Sequence, residues 1–197
     1  MKTIDTPWND RVLVMRDAHE ELAFTPQELS IANAFRLPAR RNEWLLSRIV
    51  AKQLAMQLGI SDDPRRIRVE RPFLIVDDAA SDWRVSLSHS APYAGAMIAR
   101  APIGLDVQVV RELDERAAHL FLSPEETEQM LGCTLPWRIL HFWCAKEAAW
   151  KQRSDEFVTM RQVPLALVEE RASSLLFDAV ETVLLGDLIV AVTRPTS

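Results

Sequence analysis

Fifteen residues, Trp137 to Lys151, carry the side chains most able to do chemistry: Trp-Arg-Ile-Leu-His-Phe-Trp-Cys-Ala-Lys146-Glu147-Ala-Ala-Trp-Lys151. They read as one amphipathic helix. Residues four apart share a helix face, with about 5–6 Å between their Cβ atoms. Glu147 and Lys151 therefore point the same way, and Lys146 stands beside them. An isolated E-x-x-x-K pair is ordinarily a solvated, salt-bridged helix face. A second acid changes the reading, because Asp106 lies in a separate apolar strand, Ile103-Gly-Leu-Asp-Val-Gln108. A carboxylate in such a strand is costly to bury unless a cation or several donors meet it. Two remote acids with two lysines make a site for a divalent metal and a polyphosphate.

The elements that must position these groups follow from local pattern. Arg11–Met15 reads as a short strand. Thr25-Pro-Gln-Glu28 is a helix start, with Thr as N-cap, Pro at the first helical position and Glu at the capping-box position. Arg40 to Leu58 has apolar residues near helical period and ends at Gly59, a good residue for leaving a helix. Ile67 to Val76 reads as strand broken near Pro72, and Trp83–Leu87, Tyr93–Ala99 and Ile103–Val109 as further strands. The second half repeats this order. Phe121-Leu-Ser123-Pro-Glu-Glu126 is another Ser/Pro/Glu helix start, and the long helix ending at Lys151 follows. Strands come at Leu165–Glu169, Leu175–Ala179, Thr182–Leu185 and Leu188–Thr193. The expected class is α+β, with two pseudo-symmetric halves, 1–101 and 102–197. Each half is helices packed on a small antiparallel sheet.

Composition narrows the function. The 197 residues suffice for one large domain or two small ones. No apolar run approaches the 18 or more residues of a membrane span, and the first residues lack an apolar signal-peptide core. The two cysteines, Cys133 and Cys144, give neither a disulfide framework nor a zinc spacing. A cytoplasmic protein with no membrane partner is expected. A net charge of −5 argues against a general nucleic-acid binder. Residues 36–71 nevertheless hold nine basic side chains against four acids, a local excess able to steer an anion. With five glycines, and neither G-x-G-x-x-G nor G-x-x-x-x-G-K-[ST], phosphates must be held by side chains, a metal or helix N-termini.

Four stretches combine into a pattern: Val85-Ser-Leu-Ser-His-Ser90, then Gly104-Leu-Asp-Val-Gln108, then Phe121 to Glu126, then Trp143-Cys-Ala-Lys-Glu-Ala-Ala-Trp-Lys151. In this order and spacing they resemble the 4′-phosphopantetheinyl transferases, in particular the pseudo-dimeric, surfactin-synthetase-activating type. Arg41-Asn-Glu-Trp-Leu-Leu-Ser-Arg48 also resembles a family segment upstream. The likeness runs from about residue 12 to 193.

The resemblance implies a holo-[acyl-carrier-protein] synthase, a cytoplasmic monomer that moves 4′-phosphopantetheine from coenzyme A to a carrier-protein serine in fatty-acid, polyketide or peptide assembly. The product is 3′,5′-ADP. It implies Mg²⁺ on Asp106 and Glu147, with Gln108 a weaker third ligand. Glu147 becomes the general base, or the holder of the water that does that job. Lys146 and Lys151 would contact the coenzyme A pyrophosphate. Ser88 and His89 would contact the nucleotide near its 3′-phosphate, with Arg40, Arg41 and Arg48 as further candidates. Glu126 corresponds to an acid near the metal. The sequence departs from the family pattern at Ser47, at Glu70-Arg71-Pro72, at Gln152-Arg153-Ser154, and at Gln108, where Glu is commoner. Two other readings compete: a non-catalytic homologue that binds carrier protein or coenzyme A, and another Mg²⁺-dependent nucleotide enzyme such as a pyrophosphatase.

Overall fold

Two short polar signatures start two of the helices. In the computed structural model, which describes residues 2–8, 11–16 and 24–194, the Thr25 hydroxyl accepts the Glu28 N–H and Glu28 Oε2 accepts the Thr25 N–H. This capping box opens helix α1, Pro26–Asn33. Helix α2, Pro38–Gln57, also begins on a proline and is left through Gly59 at φ +69°, a left-handed conformation that glycine adopts without penalty. Ser123 and Glu126 form a second capping box at helix α3, Pro124–Gly132. The long helix α4 spans Arg138–Gln152.

The contacts divide the chain into two compact units, Met1–Ala101 and Pro102–Ser197. The first contains strands β1 (Lys2–Ile4), β2 (Val12–Arg16), β3 (Ile67–Glu70), β4 (Phe73–Val76), β5 (Ala79–Ser90) and β6 (Tyr93–Ala99). All pair antiparallel, in the order β1-β2-β6-β5-β4-β3. The expected break at Pro72 separates β3 from β4. The second unit contains β7 (Leu105–Val109), β8 (Leu167–Glu170), β9 (Ser174–Phe177), β10 (Val180–Leu185) and β11 (Leu188–Thr193). Its antiparallel order is β7-β11-β10-β9-β8.

Set β1 aside and the two units share one topology: strand, two helices, then four strands, with the first strand hydrogen-bonded to the last. The α+β class expected from the sequence is the one found. Each sheet also takes in the strand that precedes the helices, a pairing between chain segments too far apart for local pattern to reveal.

Each unit has its own core. In the first, Ile49, Val50, Leu54 and Ala55 of α2 meet Leu13, Met15, Ala94, Ala96 and Ile98 of the sheet. In the second, Leu140, Phe142, Ala145 and Ala149 of α4 meet Leu175, Phe177, Val180, Ile189 and Ala191. Phe142 and Phe177 contact edge to face at 5.0 Å, a favoured aromatic geometry. Among the described residues, no helix is long and apolar enough to cross a membrane.

Candidate active site

Strand alternation puts Asp106 and Gln108 on one face of β7. Their cross-strand partners on β11 are Ala191 and Ile189. Those partners belong to the core beneath α4, so both polar side chains face that helix. The strand can lie so close because of Gly104. A Cβ there would sit 1.8 Å from the Ala148 carbonyl oxygen of α4. Gly104 is also fixed to β11: its N–H donates to Thr193 Oγ1 at 2.8 Å and its carbonyl accepts the Thr193 N–H at 2.9 Å.

Asp106 is fully buried. Lys151 of α4 reaches it: its ammonium is 2.9 Å from Asp106 Oδ1, 2.9 Å from the Leu105 carbonyl oxygen and 3.2 Å from Glu147 Oε1. Gln108 donates its amide to Asp106 Oδ2 at 3.2 Å. Four residues expected to act together, Asp106, Gln108, Glu147 and Lys151, are thus brought together.

The charges in this cluster tune one another. Burial raises the proton affinity of Glu147, and the Asp106 charge raises it further against the pull of Lys151, so its carboxyl sits above the usual glutamate range. Burial pulls the Lys151 ammonium down, but Asp106 and Glu147 outweigh that and hold it above the ordinary lysine range. Burial, and then Asp106, push the Cys144 thiol well up. That suits a packing role, since a thiol nucleophile needs a lowered value.

The donor chemistry fits a hard divalent cation. Two carboxylates against one ammonium leave an excess negative charge, and oxygen donors are what Mg²⁺ prefers. Among the described residues, no group of three or more His, Cys, Asp or Glu side chains converges. An ion on Asp106 and Glu147 would therefore keep waters or take substrate oxygens, as Mg²⁺ ordinarily does.

Lys146 is not in this cluster. Adjacent helix residues are turned by about 100°, and Lys146 points into the second unit's interior, fully buried. Its ammonium is 2.8 Å from Glu126 Oε1 and also donates to the Val163 and Arg161 carbonyl oxygens. The expectation that Lys146 meets a pyrophosphate is corrected accordingly: its donors are spent on the protein. Glu126 likewise faces Lys146, the Ser123 N–H and the Leu165 N–H, a structural set in place of the expected metal neighbourhood.

The first unit gathers a second group. Arg40, Arg48 and His89 line a cavity of about 240 Å³ together with Glu43, Trp44 and Arg71. The Arg48 guanidinium lies 3.8 Å from the centre of the Trp44 ring, a cation–π contact. Its proton affinity is pushed down to about 10 by burial and then by the charge of Arg71. Two guanidiniums close enough to repel each other make this cavity a candidate anion site. Ser88 and Arg41 are placed elsewhere. Ser88 is buried on the opposite face of β5 from His89, and Arg41 donates to Asn33 Oδ1 at 3.2 Å. Sequence reasoning missed Arg71 and Glu43 as cavity residues. Arg71 stood in a recognised departure from the family pattern, and Glu43 within the Arg41–Arg48 segment.

Residues 102–181 match the family model of the 4′-phosphopantetheinyl transferase superfamily. The matched stretch contains Asp106, Gln108, Glu147 and Lys151. No match was found among curated proteins.

Proposed function

We propose that this protein transfers 4′-phosphopantetheine from coenzyme A to a serine of an acyl or peptidyl carrier protein, releasing 3′,5′-ADP. The observation that carries the reading is the meeting of Asp106 and Glu147 on one ammonium, that of Lys151, inside the stretch that matches a family of such transferases.

Asp106 and Glu147, with Gln108 beside them, are the residues that would hold Mg²⁺. When bound, the ion neutralises pyrophosphate charge and acts as a Lewis acid. The remaining work belongs to the chain. Asp106 is buried and fixed by Lys151, Gln108 and the close approach of β7 to α4, so the group needs no reorganisation before reaction. Glu147 is the more accessible acid, with about a quarter of its side chain open to solvent. Its raised proton affinity equips its carboxylate to take the proton of an incoming serine hydroxyl. Lys151 supplies a fixed positive charge for the oxygens that become more negative as the phosphorus–oxygen bond breaks. Such preorganised charge is the main catalytic resource in phosphoryl transfer. The first unit's cavity, with Arg40, Arg48, Arg71 and His89, is the candidate seat of a nucleotide phosphate.

The test is direct. The protein is incubated with an apo carrier protein, coenzyme A and Mg²⁺, and the carrier is weighed. A gain of one phosphopantetheine is expected. Binding without gain would favour a non-catalytic carrier-binding homologue, and hydrolysis of coenzyme A without gain a pyrophosphatase.

A further inference from the structure

One wall of the first unit's basic cavity is an acid. Glu43 Oε2 lies 3.2 Å from Arg40 Nη1 and 3.2 Å from His89 Nε2. The cavity's donors therefore fall into two kinds. Arg48 and Arg71 both line it, and among the described residues no acid contacts Arg71. Arg40 and His89 are already held by the Glu43 carboxylate. An anion entering the cavity meets no competing carboxylate at Arg71, and at Arg48 only the Trp44 carbonyl and the Ser47 hydroxyl, but it must compete with Glu43 for the other two.

We propose that Glu43 is an internal counter-anion that occupies Arg40 and His89 until an incoming phosphate monoester displaces it, so that it weakens binding of a phosphate-bearing ligand and leaves one lacking the phosphate unaffected. A phosphate monoester carries about 1.5 to 2 negative charges at neutral pH and three strong acceptor oxygens. It outbids a single carboxylate for a guanidinium. A hydroxyl in the same place carries no charge and leaves Glu43 on Arg40 and His89. The position of Glu43 suits the task. It sits on the same face of α2 as Arg40 and Ser47, and only about a quarter of its side chain is exposed, so its carboxylate stays in the cavity.

This inference rests on the reading of the cavity as a nucleotide-phosphate site. Coenzyme A and 3′-dephospho-coenzyme A differ by one phosphate monoester, which makes them the right pair of probes. Calorimetric titration of the full chain with each, in Mg²⁺ and without carrier protein, separates the possibilities. In Glu43→Gln, coenzyme A is expected to bind about tenfold more tightly while 3′-dephospho-coenzyme A is unchanged, as removing one like charge near the phosphate predicts. Glu43→Asp, which keeps the charge, should restore the wild-type ratio. Circular dichroism verifies that both variants are folded. Equal changes for the two ligands, or weaker coenzyme A binding in Glu43→Gln, would assign Glu43 a merely positioning role and overturn the proposal. A wild-type protein that binds the two ligands equally would overturn the phosphate reading of the cavity as well.

Discussion

Glu126 joins its own helix start to Lys146: Oε2 accepts the Ser123 N–H at 2.8 Å, and Oε1 accepts the Lys146 ammonium at 2.8 Å. One carboxylate thereby starts α3 and neutralises a buried charge on α4. The first unit does the same with Glu28, whose Oε2 takes the Thr25 N–H at 2.9 Å and the Lys52 ammonium at 2.7 Å. Burial lowers both lysines, and the paired glutamates oppose it.

Removing the acid should be far worse than removing the pair. Glu126→Ala strands a buried ammonium, at a cost of about 3–5 kcal/mol. For a chain of this size that lowers the melting temperature by about 10 °C. The double variant Glu126→Gln/Lys146→Met removes both charges, and calorimetry should return most of the loss. A double variant as unstable as the single one would mean that the ion pair is not what the site requires.

Asp106→Asn and Glu147→Gln keep the shape of the cluster and remove its charge. Each should slow transfer about a hundredfold or more, equivalent to about 3 kcal/mol of lost preorganised stabilisation. In the wild type, the carboxyl of Glu147 is held above the ordinary glutamate range by burial and by Asp106. Without Mg²⁺, the Glu147 carboxyl followed by NMR should therefore protonate above that range, and Asp106→Asn should bring it back toward ordinary glutamate values. Protonation at ordinary values in the metal-free wild type would show that burial and Asp106 do not tune it.

His141 offers a stability measurement independent of catalysis. It lies on the buried face of α4, with Nδ1 2.7 Å from Thr182 Oγ1, and burial pushes its proton affinity down to about 4. In the unfolded chain the value is about 6.5. Because the folded value is the lower, His141 contributes stability that is present above about pH 6.5 and is lost as pH falls through about 4. The loss over that window is on the order of 3 kcal/mol. Chemical denaturation at several pH values should show a shallower acid decline in His141→Gln than in wild type. Parallel declines would show that the carboxylates alone set acid stability.

Two glycines should respond oppositely to alanine. At Gly104 a Cβ would overlap the Ala148 carbonyl oxygen, and backbone cannot swing aside. Gly104→Ala must part β7 from α4, moving Asp106 away from Lys151, and should cut both stability and transfer. At Gly132 a Cβ meets nothing within 4 Å and lies at a helix end. Gly132→Ala should be neutral or stabilising by up to about 1 kcal/mol. Full transfer from a folded Gly104→Ala protein would show that the close approach is dispensable.

What was legible in the chain was what short range decides. Both capping boxes, the left-handed Gly59 and the bounds of β6 follow from side chains within a few residues of one another. Glu147 and Lys151 share a face because helical period requires it. Lys146 was misplaced for the same reason that it looked attractive: adjacency in sequence suggested adjacency in space, while a turn of about 100° sent it to Glu126. The partners of Lys146 and of Gly104 are tertiary, and no local pattern announces them. Arg71 reaches the cavity from the turn between β3 and β4, and Glu43 does so from a helix whose neighbours the sequence does not name.

The recurrence of the lysine–glutamate pair gives the two units a common ruler. Counted from Lys146, the next position along α4 is Glu147 and the fifth is Lys151; the same steps from Lys52 reach Gln53 and Gln57. The earlier unit retains the scaffold and its interior counter-ion, but carries uncharged amides where the later one has an acid and a base. The frame recurs in both units; on the proposed reading, the chemistry does not.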